Sequence, residues 1–157
     1  MYTRSDKSRS DFLHCMLDFT DTVVRHRGEC MPKILIVDDD PDMVAASRLV
    51  LEKEGFEVES ASNAGAGLSA VETLKPDLLV LDVMMEEPDD GLRMARELRR
   101  RGHDLPILML TSVNQAMGVQ IDKDEEIVPV DEFVEKPVDP AALVQAVRAL
   151  LEARGGK

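Results

Sequence analysis

Four short stretches of this 157-residue chain place reactive side chains directly after a run of apolar ones. Asp38, Asp39 and Asp40 follow Ile34, Leu35, Ile36 and Val37, and Asp82 follows Leu78, Leu79, Val80 and Leu81. Thr111 and Ser112 follow Ile107–Leu110, and Lys136 with Pro137 closes a shorter stretch containing Phe133 and Val134. Clustered carboxylates repel one another, and a hard divalent cation is the natural remedy. Mg2+ takes oxygen ligands and is usually held by one or two carboxylates together with waters and phosphate oxygens. A carboxylate beside Mg2+ and an ammonium can act as a nucleophile toward phosphorus, giving an aspartyl phosphate. The neighbouring cations then neutralise charge on the group in transit.

That chemistry requires the four stretches to meet, so the elements between them matter. Ile34–Val37 reads as a strand buried on both faces. Asp40 and Pro41 supply a helix cap followed by proline at the first helical position, and Gly55 ends that helix. A second strand is predicted at Phe56–Ser60, then a helix capped by Asn63 and running to about Leu74. The third strand is Leu78–Leu81. After an acidic loop, a helix runs from about Asp90 to Arg101 and is closed by Gly102.

The fourth strand is predicted at Leu105–Leu110, and Phe133–Glu135 lies near the end of a fifth. Asp139 and Pro140 repeat the cap-and-proline device, with Leu143, Val144, Val147, Leu150 and Leu151 as the apolar face of a last helix. Strands alternating with helices imply right-handed crossovers and a doubly wound parallel α/β sheet of five strands. In such sheets ligands bind beyond the carboxyl ends of the strands, where strand order reverses. The four reactive stretches all fall at such ends.

These residues, in this order, make the chain resemble the receiver domain of bacterial two-component response regulators, from about residue 31 to 153. The resemblance implies a flavodoxin-like strand order 2-1-3-4-5. It also implies that Asp82 accepts a phosphoryl group from a histidine kinase or histidine phosphotransfer protein. Asp39 and Asp82, with the backbone carbonyl of Met84, would bind Mg2+, and Asp38 would act through water. Thr111 would hydrogen-bond the phosphoryl group, Lys136 would pair with it, and Phe133 would be an aromatic switch residue. The Lys136–Pro137 bond is expected to be cis. Moving a switch from 1:99 to 99:1 takes about 5.5 kcal/mol, and a hydrogen bond to a charged group contributes about 1.5–3 kcal/mol. New contacts from Thr111 and Lys136 therefore have nearly the required size.

Three departures from the family stand out. The spacing from Asp82 to Gly91 is one longer than usual, with Met85, Glu86, Glu87 and Pro88 in the loop, which bears on the path of the Met84 carbonyl. The spacing from Thr111 to Lys136 is also longer than usual, and the helix between the fourth and fifth strands is short or irregular, from about Asn114 to no further than Ile121. The family's output face combines that helix with the fifth strand and the last helix, so the geometry of the protein target is left open. Third, only Arg154–Lys157 follows as a tail, so a single-domain regulator without an output domain is expected. Met84 and Val113, apolar at positions flanking the route of hydrolytic water, imply a long-lived phosphorylated form.

The net charge is -12, with 19 basic and 31 acidic residues. It disfavours nucleic acid and anionic membrane surfaces as partners. Residues 1–30 carry no net charge and are expected to be a disordered arm or a short helix, uninformative about function. Cys15 and Cys30 make neither a disulfide framework nor a zinc motif. No apolar run approaches the roughly 18 residues of a membrane span, and a cytoplasmic location is expected. The arginines at 93, 96, 99, 100 and 101 read as a solvated helix face.

Two other readings compete. One is a receiver-fold binding module that works without phosphorylation, for which the unusual Ser112–Val130 stretch is the best argument. The other is a haloacid-dehalogenase-type phosphatase, which would use Asp38–Asp40, Thr111–Ser112 and Lys136, but it needs a later acidic pair where only Asp139 follows, and it leaves Asp82 without a role.

Overall fold

The apolar runs pair into one sheet. Its strands are β1 (Lys33–Val37), β2 (Glu57–Ala61), β3 (Leu78–Asp82), β4 (Ile107–Ser112) and β5 (Glu132–Lys136). The computed structural model describes residues 31–112 and 130–155. All four strand pairings are parallel, and the order is β2-β1-β3-β4-β5, as the resemblance implied. Between and after the strands lie α1 (Pro41–Lys53), α2 (Ala64–Leu74), α3 (Asp90–Arg100) and α4 (Pro140–Gly155). The helix expected near Asn114, the acidic stretch Asp122–Glu126, Val113 and the N-terminal arm fall outside the described residues.

The two-residue period of a strand divides the core into two layers. Ile34 and Ile36 of β1, Leu78 and Val80 of β3 and Leu108 and Leu110 of β4 pack with Leu51 of α1 and Leu143, Val147 and Leu151 of α4. Their neighbours Leu35, Val37, Leu79, Leu81, Ile107 and Met109 face the other way, against Val71 of α2 and Met94, Ala95 and Leu98 of α3. Each such burial is worth about 1.5–3 kcal/mol. Aliphatic pairs in register, such as Leu79 opposite Ile107 and Leu81 opposite Met109, hold β3 at the centre.

Local chemistry sets the element ends. Asp40 accepts from the Asp42 amide at 2.9 Å and caps α1, with Pro41 in the first turn. Asn63 accepts from the Ala66 amide at 2.8 Å to cap α2, and Asp139 does the same for the Ala142 amide at 2.9 Å. Gly55 and Gly102 take the left-handed backbone that ends α1 and α3, with φ of 92° and 82°.

Two strands begin later than predicted. Phe56 is buried, but its amide closes α1 by bonding to the Leu51 carbonyl, so the β2 ladder starts at Glu57. Pro106 has no amide to give, so β4 starts at Ile107 and not Leu105. At its far end β4 includes Thr111 and Ser112, which pair with Glu135 and Lys136. The last helix continues to Gly155.

Candidate functional site

The three consecutive aspartates after β1 divide into three different environments. Asp38 extends the ladder, its amide bonding to the Ala61 carbonyl at 3.2 Å, and turns its carboxylate inward, with only 2% of the residue exposed. Its Oδ1 accepts from the Asp40 amide at 2.9 Å, which fixes the turn into α1. Asp39 is exposed at the mouth of the site, and Asp40 is occupied as the helix cap.

Asp82 ends β3 and is 5% exposed. The Val83 amide bonds to the Leu110 carbonyl, and the Gly91 amide at the start of α3 bonds to the Val83 carbonyl, both at 3.1 Å. That second contact demands a glycine: a Cβ on Gly91 would stand 2.1 Å from the backbone oxygen of Asp82. The loop between is held by Asp90, whose Oδ2 accepts from the Glu87 amide at 2.8 Å. The backbone of Met84 hydrogen-bonds the Asp82 carboxylate, and the Met84 side chain is exposed.

Lys136, the last residue of β5, reaches across β4 to both acids. Its Nζ lies 3.0 Å from Asp82 Oδ1 and 3.3 Å from Asp38 Oδ2. Burial raises the pKa of Asp82 above the ordinary carboxylate value; the hydrogen bond from Lys136 opposes this and the Asp38 charge reinforces it. Burial alone would lower the pKa of Lys136, but the hydrogen bond it donates to Asp82 and the charges of Asp82 and Asp38 outweigh it and raise the net value.

One carboxylate oxygen each from Asp38, Asp39 and Asp82 lie within 4.8 Å of one another. Two oxygens on opposite sides of one Mg2+ are roughly 4 Å apart, so a small contraction fits this donor set to a hard, oxygen-preferring cation. Asp38, Asp39, Asp82 and Lys136 thus meet as the sequence predicted. Thr111 is buried at the same end of the sheet, one register position beyond Asp82, with its hydroxyl donating a long bond of 3.4 Å to the Ser112 carbonyl. Phe133 is 44% exposed on β5 opposite Met109, so it is not core filler. The Lys136–Pro137 peptide is cis.

Sequence reasoning did not single out Gly91 as a contact residue, nor did it single out Asp131. A glycine in the first turn of a helix whose neighbours are acidic was the available signal for the first. For Asp131 there was none, because its partners Arg99 and Ile107 are distant in sequence.

A family model described as response regulator receiver domain matches residues 34–148. The alkaline phosphatase synthesis transcriptional regulatory protein PhoP of Bacillus subtilis is 37% identical over 123 residues, covering 76% of this chain and 48% of that protein. The DNA-binding dual master transcriptional regulator RpaA of Synechocystis is also 37% identical over 123 residues, covering 77% of this chain and 49% of its own. The chain therefore spans about half the length of these curated relatives. Among solved structures, a CheY-like receiver domain protein from Methanospirillum hungatei superposes with a TM-score of 0.66 at 26% identity, covering 79% of this chain and 96% of that one. The expectation that excludes nucleic acid finds no support here, since RpaA is by name DNA-binding. The net charge does not by itself exclude such a partner. The phosphatase alternative is also set aside, because the receiver family model matches residues 34–148, most of the chain.

Proposed function

The chain belongs to the response regulator receiver family, a family of signalling switches and not of conventional enzymes, and on that premise we propose that Asp82 is its phosphoacceptor. The observation that carries this reading is the convergence of Asp38, Asp82 and Lys136 at the carboxyl ends of β1, β3 and β5, with the lysine within 3.3 Å of both acids. The donor is a phosphohistidine on a histidine kinase or histidine phosphotransfer protein. An Asp82 carboxylate oxygen forms the bond to phosphorus, the nitrogen–phosphorus bond breaks, and the imidazole leaves with its electron pair and takes up a proton.

Each neighbouring side chain has a separate task. Lys136 keeps its proton and pairs with the transferred group. The Met84 amide and the β3 backbone orient Asp82, and the Thr111 hydroxyl is placed to turn toward the phosphoryl oxygens. Asp38, Asp39 and Asp82, with the Met84 carbonyl, would hold Mg2+, Asp38 through water. When bound, that ion would neutralise charge on the transferring group. Once Asp82 carries a phosphate, Lys136 and Thr111 are drawn toward it, and Phe133 on the same edge strand changes its exposure. This alters the face that β5 and α4 present to a protein target. The apolar Met84 side chain cannot orient water, so the phosphorylated form is long-lived.

The test is Mg2+-dependent uptake from acetyl phosphate, followed by intact mass. The wild type is expected to gain one phosphoryl mass only with Mg2+, Lys136→Ala to gain it far more slowly, and Asp82→Ala not at all. Uptake by Asp82→Ala equal to wild type would contradict the proposal. Loss of the phosphoryl group within seconds would contradict the long lifetime.

A further inference from the structure

We propose that Asp131 is a positioning residue: it sets the register of β5 on β4 and so delivers Lys136 to Asp82. The inference rests on the proposed role of Lys136 but is argued from the other end of the strand. In β1, β3 and β4 register is fixed by burial, because a one-residue slip would turn an entire aliphatic row outward. β5 lacks that safeguard. It forms one edge of the sheet, Glu132, Phe133 and Glu135 are exposed, and Val134 is the strand residue that packs, partly buried, on the core.

What holds the strand in place sits just before it. The Asp131 amide bonds to the Ile107 carbonyl at 3.0 Å, while Asp131 Oδ2 accepts from the Ile107 amide at 2.8 Å. A single residue therefore engages both backbone groups of Ile107, which begins β4. The same Oδ2 accepts from Arg99 Nη2 at 3.0 Å, and the other terminal nitrogen of Arg99 donates to the His103 and Leu105 carbonyls at 2.9 and 2.8 Å. Arg99 thus joins the end of α3, the loop before β4 and the start of β5.

The clamp and the site lie at opposite ends of a five-residue strand, with Leu108 paired to Glu132 and Ser112 paired to Lys136. A strand advances about 3.3 Å per residue, so a two-residue slip that keeps the same faces would carry Lys136 by roughly 6–7 Å. Its contact with Asp82 spans 3.0 Å and would not survive. A one-residue slip would point it to the wrong face. Asp38 and Asp39 follow β1 and Asp82 ends β3, so the three carboxylates keep their places when β5 shifts, while the ammonium that pairs with two of them is withdrawn.

The experiment uses the full chain as wild type, Asp131→Ala and Asp131→Asn. Three readouts are taken: the initial rate of phosphorylation by acetyl phosphate, Mg2+ affinity by titration calorimetry, and the nuclear Overhauser contact between Ser112 and Lys136. Asp131→Ala is expected to lose the contact and to slow phosphorylation by about tenfold to a hundredfold, with Mg2+ affinity held or raised because the competing ammonium is gone. Asp131→Asn, which keeps an acceptor for the Ile107 amide, is expected to recover the contact and most of the rate. An Asp131→Ala protein with the wild-type contact and rate would overturn the inference. So would a parallel fall in Mg2+ affinity, which signals general loosening. If the wild type takes up no phosphoryl group while the contact still responds to Asp131, the clamp stands and the proposed phosphoacceptor role fails.

Discussion

At the scale of single residues, the site is built by giving like groups unlike surroundings. Asp38, Asp39 and Asp40 are identical in chemistry, yet one is buried against Lys136, one is exposed and one caps a helix. Asp82 carries the clearest thermodynamic signature. Burial, with the Asp38 charge, raises its pKa above 3.8 despite Lys136. A carboxyl group raised by folding supports the fold fully below the unfolded value, and that support is lost as pH rises through the folded value. Asp82→Asn is therefore expected to melt at a higher temperature than wild type at pH 7 without added Mg2+. The difference should shrink as pH falls toward 3.8 in thermal scans, and a variant less stable than wild type at neutral pH would contradict this. Lys136, also raised, follows the same sign at the alkaline end: its support is present below 10.5 and is lost as pH rises through its higher folded value.

At the scale of elements, the contact between α3 and the end of β3 places Asp82, the proposed phosphoacceptor. Gly91→Ala puts a Cβ against backbone that cannot yield, and a loss of about 1–3 kcal/mol or more is expected in urea denaturation. Gly67→Ala makes a useful comparison, because its Cβ would meet side-chain atoms, the end of unbranched Met94 at 2.8 Å and Val37 at 2.9 Å, in place of backbone, and it should cost less. Asn63→Ala removes the α2 cap and should cost about 1 kcal/mol. Arg99 departs from the solvated face expected of the α3 arginines by reaching Asp131 and the loop before β4, and Arg101 also reaches Glu72 of α2. Arg93 with Asp89 and Arg100 and Arg101 with Glu97 pair near home, as a solvated face requires. These pairings hold Glu97 down at about 2. The elements were mostly legible beforehand because aliphatic runs and caps are local signals: Asp40–Pro41, Asn63, Gly102 and Asp139–Pro140 all mark the boundaries expected of them. The shifted start of β2 was not legible, since it depends on where the Phe56 amide bonds, whereas Pro106 was a readable signal for the later start of β4. β5 was the weakest strand in sequence for the same reason that it needs Asp131: too few of its side chains are buried to leave a pattern.

At the scale of the whole molecule, strand order turns separate stretches into one site, bringing residues as far apart as Asp38 and Lys136 within 3.3 Å. Ligand binding there should stabilise the entire fold. Mg2+ at about 100 times its dissociation constant is expected to add ~2.7 kcal/mol to wild-type stability, and Asp39→Ala should show little of this in thermal scans. A stabilisation by Mg2+ that survives Asp39→Ala would place the ion elsewhere. The most direct measurement is the position of the phosphoryl group itself. Acyl phosphates are reduced by borohydride, so a phosphorylated aspartate becomes homoserine, which peptide fragmentation locates. After phosphorylation with Mg2+ present, homoserine is predicted at position 82 alone. Homoserine at 38 or 39 instead, or none from a protein that has gained the phosphoryl mass, would contradict the assignment of Asp82.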